Sequence, residues 1–366
     1  KVKDIVRKHG VTILSSDMQL YAAMSKGGTN ILRKSIHHVE NYSIDESFCD
    51  LQGYESHFDL VDLMRGVADR IKLWTDIPVS VGIAPTKTLA KVANKFAKKY
   101  DGYRSVCMID SEEKRIKALS LFDLADVWGI GRQTLSKLDY LGDSTPLEFA
   151  NKSESWVRSN FHKPGIQTWL ELNGTPCIDT SEVVQNQTIC TSRSFGEMVS
   201  DLPSLKASVA SFASSCANKL RGQNAGARSV TVFICSNRFR EDLPQYGNSA
   251  TYTFITPTSD TLEITSAALK LLKQIYRPGI QYKKSGVIVG DIVSMSMLQM
   301  NLFDPIHNRK ERSDLMKAID VINHRYGLKT IKLLAEGEKE QKWKVKCEHR
   351  SQNYLTDINE ILTVKI

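Results

Sequence analysis

Residues 39–51 read VENYSIDESFCDL and contain the sharpest local signal in the chain, Ser43-Ile44-Asp45-Glu46. The stretch alternates and is rich in strand formers, which predicts a β-hairpin with its turn close to Asp45 and Glu46. Neighbouring side chains in a strand point to opposite faces, but at a turn two adjacent acids can converge on one point. Paired carboxylates at a strand end suit a hard cation such as Mg²⁺, which takes oxygen ligands and keeps some waters. An ordinary polar turn is the alternative.

Predicted strands and helices alternate on either side of this hairpin, because runs of strand formers are followed by apolar residues at helical spacing. Such alternation indicates an α/β layer. Hydroxyl side chains are placed to cap two of the helices. The predicted elements are a strand at 11–14, a helix at 18–32 capped by Ser16, a helix at 57–74, a strand at 78–83 and a helix from Thr86 to about Tyr100.

The helix after Thr86 has two chemically different faces. Four lysines at intervals of four, four and three residues fall in one narrow stripe, and no acid between Thr86 and Tyr100 neutralises them. A solvated lysine face is the alternative, but such faces usually mix Glu with Lys. A stripe of one sign near paired acids suits nucleotide phosphates or a nucleic-acid backbone. The stripe is Lys87, Lys91, Lys95 and Lys98, and the apolar face is Leu89, Val92, Ala93, Phe96 and Ala97.

A glycine turn lies in a stretch, Leu119 to Gly174, that predicts a small helical domain without a clear strand. Residues 126–131 read DVWGIG and precede a helix predicted from Gln133 to Leu141, with Lys137 one turn along it. Glycines let a backbone approach a phosphate, and a helix N-terminus offers free N–H groups. The pattern resembles a helix-hairpin-helix, and a tight corner between two helices is the alternative.

The second half of the chain has a different organisation. Residues 175–188 are polar and irregular, which predicts a linker. From Ile189 to Val293 strands and helices alternate twice, as in a split βαβ sandwich. After Met295 the chain becomes rich in Met and Gln and then charged. Residues 313–323 predict a helix, and the remainder predicts short strands or a tail.

Composition and charge narrow the class of protein. A chain of 366 residues with 41% hydrophobic and 25% charged residues is long enough for about two to four globular domains. No apolar window approaches about 18 residues, so no membrane span is expected, and the first residues do not predict a secretory signal. The net charge of +8 favours polyanionic partners. Seven cysteines without a CxxC pair argue against a zinc site or disulfides and fit reduced cytoplasmic thiols.

Four stretches together resemble the UmuC-type members of the Y-family (translesion) DNA polymerases. They are YSIDESFCDLQG (42–53), VSVGIAPTKTLAKVANKFAKK (79–99), DVWGIGRQTLSKLDYLG (126–142) and CTSRSFGE (190–197), in the order found in that family. The resemblance implies an α+β multidomain fold with right-hand polymerase architecture: a palm with a mixed or antiparallel sheet and helices, a helical thumb and an α/β little finger. The implied domains are the end of the fingers plus an incomplete palm (1–117), the thumb (118–178), the little finger (186–297) and a C-terminal extension (298–366).

The resemblance also implies roles for individual residues. Asp45 and Glu46 match the acids that bind the catalytic magnesium ions. Lys98 matches a lysine that contacts the incoming triphosphate, although an alignment shifted by one would place Lys99 there. The thumb turn and the first little-finger strand would hold primer–template DNA by sequence-independent phosphate contacts. The implied DNA-binding residues are Gly129, Gly131, Lys137, Arg193 and Ser194, and a segment resembling a sliding-clamp-binding peptide contains Gln299, Asn301, Leu302 and Phe303.

The implied activity is error-prone translesion synthesis in the SOS response to DNA damage. Primer–template DNA and dNTP are the implied substrates, and a bacterial sliding clamp and a UmuD-like protein the implied partners. We expect upstream residues to be missing, because no strand with a first metal-binding Asp and an aromatic steric gate precedes Lys1. This chain is therefore predicted to be inactive or very weak alone. A non-catalytic DNA- and clamp-binding protein is the alternative, and a nucleotidyl cyclase is a weaker one.

Overall fold

The computed structural model describes residues 2–180, 187–297, 304, 306–337, 341–345, 347–352, 358–361 and 363. The chain divides into two compact units. The first consists of Lys1–Val183 with His349–Ile366, and the second of Val184–Glu348. In the described helices, no segment is long and apolar enough to cross a membrane.

The first unit begins with two small strand pairs embedded among helices. The predicted hairpin is confirmed: β1 and β2 pair antiparallel, with Asn41 opposite Ser47. The strands β3 and β4 pair parallel and are joined by a helix that packs on them. Gly82 in β3 permits this packing, because a Cβ there would lie 2.0 Å from the carbonyl oxygen of Ala90. The elements are α1 (Val2–His9), α2 (Met18–Ser35), β1 (His38–Asn41), β2 (Ser47–Asp50), α3 (Leu60–Thr75), β3 (Val81–Ile83), α4 (Lys87–Lys99) and β4 (Val106–Met108).

Two local sequence predictions are wrong in this unit, and one short strand was not predicted. Residues 11–14 form no strand, and only Ser15 makes a single bridge, to Arg350. Ile13 and Leu14 are each 60% exposed, so this short run has no apolar surface or partner strand to fix it within the described residues. Asp17 rather than Ser16 caps α2, by accepting hydrogen bonds from two backbone amides. The strand β4 was not predicted, because its three residues give too short a pattern.

Five further α-helices lie in the described residues of the first unit. They share one apolar core with the buried face of α4, which Leu89, Val92 and Ala93 line at 1% exposure or less. The predicted amphipathic helix from Thr86 is thus confirmed, with the hydroxyl of Thr86 accepting a hydrogen bond from the amide of Leu89. The helices are α5 (Glu112–Leu121), α6 (Arg132–Tyr140), α7 (Pro146–Ala150), α8 (Glu154–Asn160) and α9 (Lys163–Leu172).

The second unit is an antiparallel four-stranded sheet in the order β5-β8-β6-β7. Two helices, α10 and α11, pack against each other and on the sheet. Alternate strand residues such as Val230, Val232 and Val287 are fully buried in their shared core. This alternation explains why the strands were predictable from the sequence. The elements are β5 (Thr188–Val199), α10 (Leu202–Gly222), β6 (Ala225–Ser236), β7 (Gly247–Thr258), α11 (Thr261–Ile275) and β8 (Tyr282–Ser294).

The segment after β8 packs on this same unit. Its helix α12 (Arg309–Tyr326) is longer than the predicted 313–323. Arg221 of α10 binds Asp320 of α12 at 2.6 Å, and Arg312 binds Asp260 at 2.6 Å. Farther along, Trp343 is 5% exposed and contacts the ring of Phe212 edge-on, with ring centroids 5.5 Å apart. The described part of this segment therefore completes the core rather than forming a free tail.

Candidate active site and nucleic-acid interface

The two candidate metal-binding acids lie at the tip of the β1–β2 hairpin. The backbone amides of Tyr42 and Ser43 each donate to the carbonyl of Glu46 at 3.0 Å, which closes the turn. The hydroxyl of Ser43 donates to Asp45 Oδ1 at 2.6 Å and so orients that carboxylate. Asp45 and Glu46 are both exposed. The turn therefore presents two adjacent carboxylates to solvent, as its sequence predicts.

Lys91 of α4 neutralises one of these acids. Its Nζ lies 2.8 Å from Glu46 Oε1. The same ammonium group faces three aromatic rings, at 4.6 Å from the centroid of Tyr42, 5.3 Å from that of Trp128 and 5.6 Å from that of Phe48. Contacts of a cation with aromatic faces at such distances are attractive. We call Tyr42, Phe48 and Trp128 the aromatic cage.

The lysine stripe is less positive than the sequence of α4 suggests. Lys87 binds Glu40 of β1 at 2.8 Å, and Lys95 forms an ion pair with Asp126. These acids come from other elements, so the sequence of α4 alone does not reveal them. Lys98 is exposed at the C-terminal end of α4, and no ion pair of Lys98 occurs within the described ranges. Among the four lysines it is the one available to an added anion.

A buried acid fixes the other end of α4, and sequence reasoning missed it. Glu171 of α9 is 1% exposed and accepts hydrogen bonds from the amides of Thr88 at 2.9 Å and Cys177 at 2.9 Å. The hydroxyl of Thr86 donates to the backbone carbonyl of Glu171 at 2.8 Å. A carboxylate at the first turn of a helix is stabilised by the helix dipole and free amides. The only sequence signal is one acid within the otherwise apolar end of α9.

The glycine turn is held tightly against α9. Gly129 has φ of +95°, and a Cβ there would lie 2.2 Å from Thr168 Oγ1, so this position requires glycine. Gly131 precedes α6 as its N-cap and is open, with nothing within 4 Å of an added Cβ. Lys137 donates to the carbonyl of Asn160 and is exposed. No side chain caps the N-terminus of α6 at Gly131, and a helix N-terminus with free amides is a suitable anion site.

The donor set at the hairpin fits a hard cation only in part. Asp45 and Glu46 supply oxygen ligands, and exposure leaves room for waters. Within the described portion of the chain, no group of three or more His, Cys, Asp or Glu residues could hold a metal ion. The pair could therefore supply only two carboxylate ligands, and a cation held there would keep several of its waters.

Comparisons with known proteins decide the family. Residues 1–95 match the impB/mucB/samB family, residues 186–302 match its C-terminal domain, and residues 313–364 match a domain of unknown function, DUF4113. The chain is 39% identical to Protein UmuC of Salmonella typhimurium over all of this chain and 87% of that protein. This chain belongs to the UmuC-type Y-family DNA polymerases.

Other relatives agree with this assignment. Protein MucB of Escherichia coli is 34% identical over 89% of this chain and 77% of that protein. DNA polymerase IV of Alkaliphilus oremlandii is 27% identical over 87% and 79% of the two chains. Among solved structures, a Y-family DNA polymerase chimera of Dbh and Dpo4 is similar with a TM-score of 0.55 and 20% identity, over 76% of this chain and 78% of that one. The right-hand polymerase fold expected of a UmuC-type chain is therefore confirmed.

The second unit of this UmuC-type polymerase carries the remaining candidate DNA-binding residues. Arg193 and Ser194 lie on the edge strand β5, paired with Ser285 and Lys284 of β8. Both are exposed. A positive side chain on an edge strand can reach a phosphate without disturbing the core. The predicted clamp-binding residues Gln299, Asn301, Leu302 and Phe303 lie outside the described residues.

Proposed function

We propose that this chain carries out error-prone translesion DNA synthesis, as part of the response to DNA damage, with Mg²⁺ held by Asp45 and Glu46. The observation that carries the proposal is the pair of exposed carboxylates at the hairpin tip, beside a helix that ends in an exposed lysine. A polymerase of this family needs divalent ions, and oxygen ligands with free coordination positions favour Mg²⁺. The two-carboxylate geometry supports the metal assignment.

Each residue of the site has a distinct task in template-directed addition of a dNMP to a primer 3′-OH. Bound divalent ions would lower the pKa of the attacking hydroxyl and stabilise the leaving pyrophosphate. Asp45 and Glu46 would orient those ions, with Ser43 fixing the Asp45 carboxylate at 2.6 Å. Lys98 would bind the incoming triphosphate as a charge-assisted partner.

Primer–template DNA would be held by backbone contacts that do not depend on sequence. The first of these is the turn at Gly129 and Gly131, where α6 offers its free amides. The second is the β5 edge with Arg193 and Ser194. Low sequence discrimination and an open, exposed site suit synthesis across damaged template. We also propose the domain limits given above, with residues 118–178 as thumb and 186–297 as little finger.

Primer extension tests the proposal. The chain, and a version extended upstream to the length of its UmuC relative, are assayed with Mg²⁺, dNTPs and an abasic template, each with and without the Asp45→Asn/Glu46→Gln pair. We expect the extended version to copy past the lesion, and we expect the paired substitution to abolish this activity while leaving DNA binding, measured without divalent ions, within about twofold. Binding without extension in both versions would instead favour a non-catalytic DNA- and clamp-binding protein.

The sequence of residues 299–303, with Leu302 and Phe303, supports docking on a sliding clamp, since short peptides with apolar anchors are a common recognition mode. A UmuD-like partner is proposed from the family alone. Pull-down of the chain by a bacterial sliding clamp, compared with pull-down of the Leu302→Ala/Phe303→Ala variant, tests the proposed docking on the clamp. Equal retention of both forms would remove the clamp from the proposal.

A further inference from the structure

The aromatic cage joins two parts of the polymerase that are distant in sequence. Trp128 lies immediately before the glycine turn, 86 residues from the catalytic hairpin, and its Nε1–H donates to the hydroxyl of Tyr42 at 3.0 Å. Tyr42 is itself part of the hairpin turn, because its amide donates to the carbonyl of Glu46 at 3.0 Å. Two hydrogen bonds therefore connect the indole of Trp128 to the residue that would hold metal.

Ring packing reinforces this connection. The ring of Trp128 meets Tyr42 edge-on with centroids 5.4 Å apart and meets Phe48 at 5.8 Å. All three rings surround Lys91, whose Nζ lies 2.8 Å from Glu46. Such aromatic pairs favour defined orientations over free rotation. The position of Glu46 is therefore set from one side by Tyr42 and from the other by Lys91, and Trp128 contacts both.

The other side of Trp128 is equally constrained. Its neighbours Val127 and Ile130 are 3% and 7% exposed, so the backbone on both sides is anchored in the core. Gly129 is fixed against Thr168 of α9. A displacement of the glycine turn must consequently move the indole, and the indole cannot move without disturbing the cage.

We propose that Trp128 is a positioning residue that couples DNA binding at the glycine turn to metal binding at Asp45 and Glu46. The inference rests on the proposed function, because it uses the proposed roles of the turn and of the two acids. Trp128 touches neither DNA nor metal; it acts through Tyr42 and Lys91. Coupling between two sites is reciprocal, so primer–template DNA tightens metal binding by the same factor as metal tightens DNA binding.

The coupling factor is directly measurable without turnover. Mn²⁺ affinity is measured by electron paramagnetic resonance of the free ion, with and without saturating dideoxy-terminated primer–template, and binding by the Asp45→Asn/Glu46→Gln variant is subtracted. Linked sites typically show factors of about 5 to 150. We expect about fivefold or more in the wild type, and a factor near one in Trp128→Phe, which keeps a ring but removes the donor.

Two further variants separate positioning from folding. Tyr42→Phe removes the acceptor hydroxyl alone, and we expect the same loss of coupling, with the double variant no worse than either single one. Trp169→Phe is the matched control, because it removes an indole donor that binds the carbonyl of Ala150 at 3.1 Å, within the helical part of the first unit. We expect wild-type coupling in that variant.

The possible outcomes have different consequences for the proposed coupling and for the proposed polymerase function. Wild-type coupling that persists in both Trp128→Phe and Tyr42→Phe overturns the inference and leaves the polymerase proposal intact. A factor of one in the wild type also overturns it. Mn²⁺ binding that is the same in the wild type and in Asp45→Asn/Glu46→Gln removes the metal assignment itself.

Discussion

Lys91 Nζ lies 2.8 Å from Glu46 Oε1, so a lysine of α4 forms an ion pair with a carboxylate that is expected to bind metal. The aromatic cage also contacts this ammonium group, at 4.6 Å from the ring centroid of Tyr42. A fixed positive charge beside a cation site lowers the affinity of that site. Lys91 thus balances the charge of the hairpin and would compete with a divalent ion proposed to bind Glu46.

The substitution Lys91→Met tests this competition. It keeps a long apolar side chain within the cage and removes one positive charge, so we expect Mn²⁺ to bind about tenfold more tightly, which corresponds to about 1.4 kcal/mol. The measurement is equilibrium Mn²⁺ binding to the chain without DNA. The control is Lys114→Met, because Lys114 pairs with Asp110 at 2.7 Å on the exposed surface of α5. Weaker Mn²⁺ binding in Lys91→Met would show that the lysine assists the metal instead.

Lys98 and Lys99 can be distinguished as triphosphate ligands. A charge-assisted hydrogen bond to phosphate contributes about 1.5–3 kcal/mol. We therefore expect Lys98→Ala to raise the KM for dNTP about tenfold to a hundredfold in primer extension, with little change in DNA affinity. Lys99→Ala is the control, because Lys99 lies against the ring of Tyr100 at 5.3 Å. A larger increase in KM for Lys99→Ala than for Lys98→Ala would show that Lys99, rather than Lys98, corresponds to the triphosphate-binding lysine of the family.

The parts of the site that follow local rules could be predicted from the sequence. The alternation of strand-forming residues predicts the hairpin and its turn at Asp45 and Glu46. A capping threonine followed by apolar residues at helical spacing predicts α4. The parts that depend on long-range packing could not. The pairing of Lys91 with Glu46 spans 45 residues, and Trp128 meets Tyr42 across 86. Nothing in either local sequence specifies the other partner.

The same distinction applies to buried polar groups and to short strands. The one sequence signal of Glu171, an acid within the apolar end of α9, does not identify its partners, which are backbone amides of α4 and of residues 177–178. Residues 11–14 have good strand formers but lack the paired backbone that a strand requires. Periodicity reports which face of an element is apolar, whereas partners are set by the tertiary fold.

The two glycines of the DVWGIG turn should differ in their roles. Gly129→Ala forces a residue with a Cβ to a φ of +95° and against Thr168 Oγ1, so we expect destabilisation of about 1–3 kcal/mol. Gly131→Ala has an ordinary φ of −87° and open space, so we expect an unchanged Tm. If DNA phosphate approaches the backbone here, the added methyl group lowers DNA affinity. Thermal unfolding and fluorescence anisotropy with labelled primer–template measure the two effects, and unchanged affinity in Gly131→Ala would exclude a close phosphate contact.

Trp343 gives the segment matched by DUF4113 a structural role that can be measured. Truncation of a buried aromatic residue to alanine costs about 3–5 kcal/mol. We expect Trp343→Ala to increase amide hydrogen exchange in α10 and at Gly196, whose amide donates to the carbonyl of Lys344 at 3.2 Å. The exchange of α4 in the other unit should not change. Trp74→Ala serves as the control, because Trp74 is 60% exposed. Wild-type exchange in α10 of Trp343→Ala would mean that the segment contributes nothing to this core.

Acid should weaken the attachment of α12 to the second unit. Burial alone would raise the pKa of Asp260, but its hydrogen bonds from Arg312 and from backbone amides outweigh burial and hold the pKa below its ordinary value. Burial would likewise raise the pKa of Asp320, but the hydrogen bond and charge of Arg221 outweigh burial and lower that pKa below its ordinary value. A carboxyl group with a lowered folded-state pKa contributes stability above its unfolded pKa of about 3.9, and that contribution is lost as the pH falls through the folded pKa.

We therefore expect the Tm of the second unit to be steady between about pH 6 and pH 7 and to fall steeply below about pH 4. Arg312→Met should lower the Tm at neutral pH and flatten the acid side of the profile, because Asp260 then loses the partner that lowers its pKa. Arg158→Met is the control, since Arg158 and Glu154 form an exposed pair on α8 with more than half of each side chain in solvent. Calorimetry from pH 3 to pH 7 measures all three profiles. An acid-side slope in Arg312→Met equal to that of the wild type would show that the Asp260 pair does not control the attachment of α12.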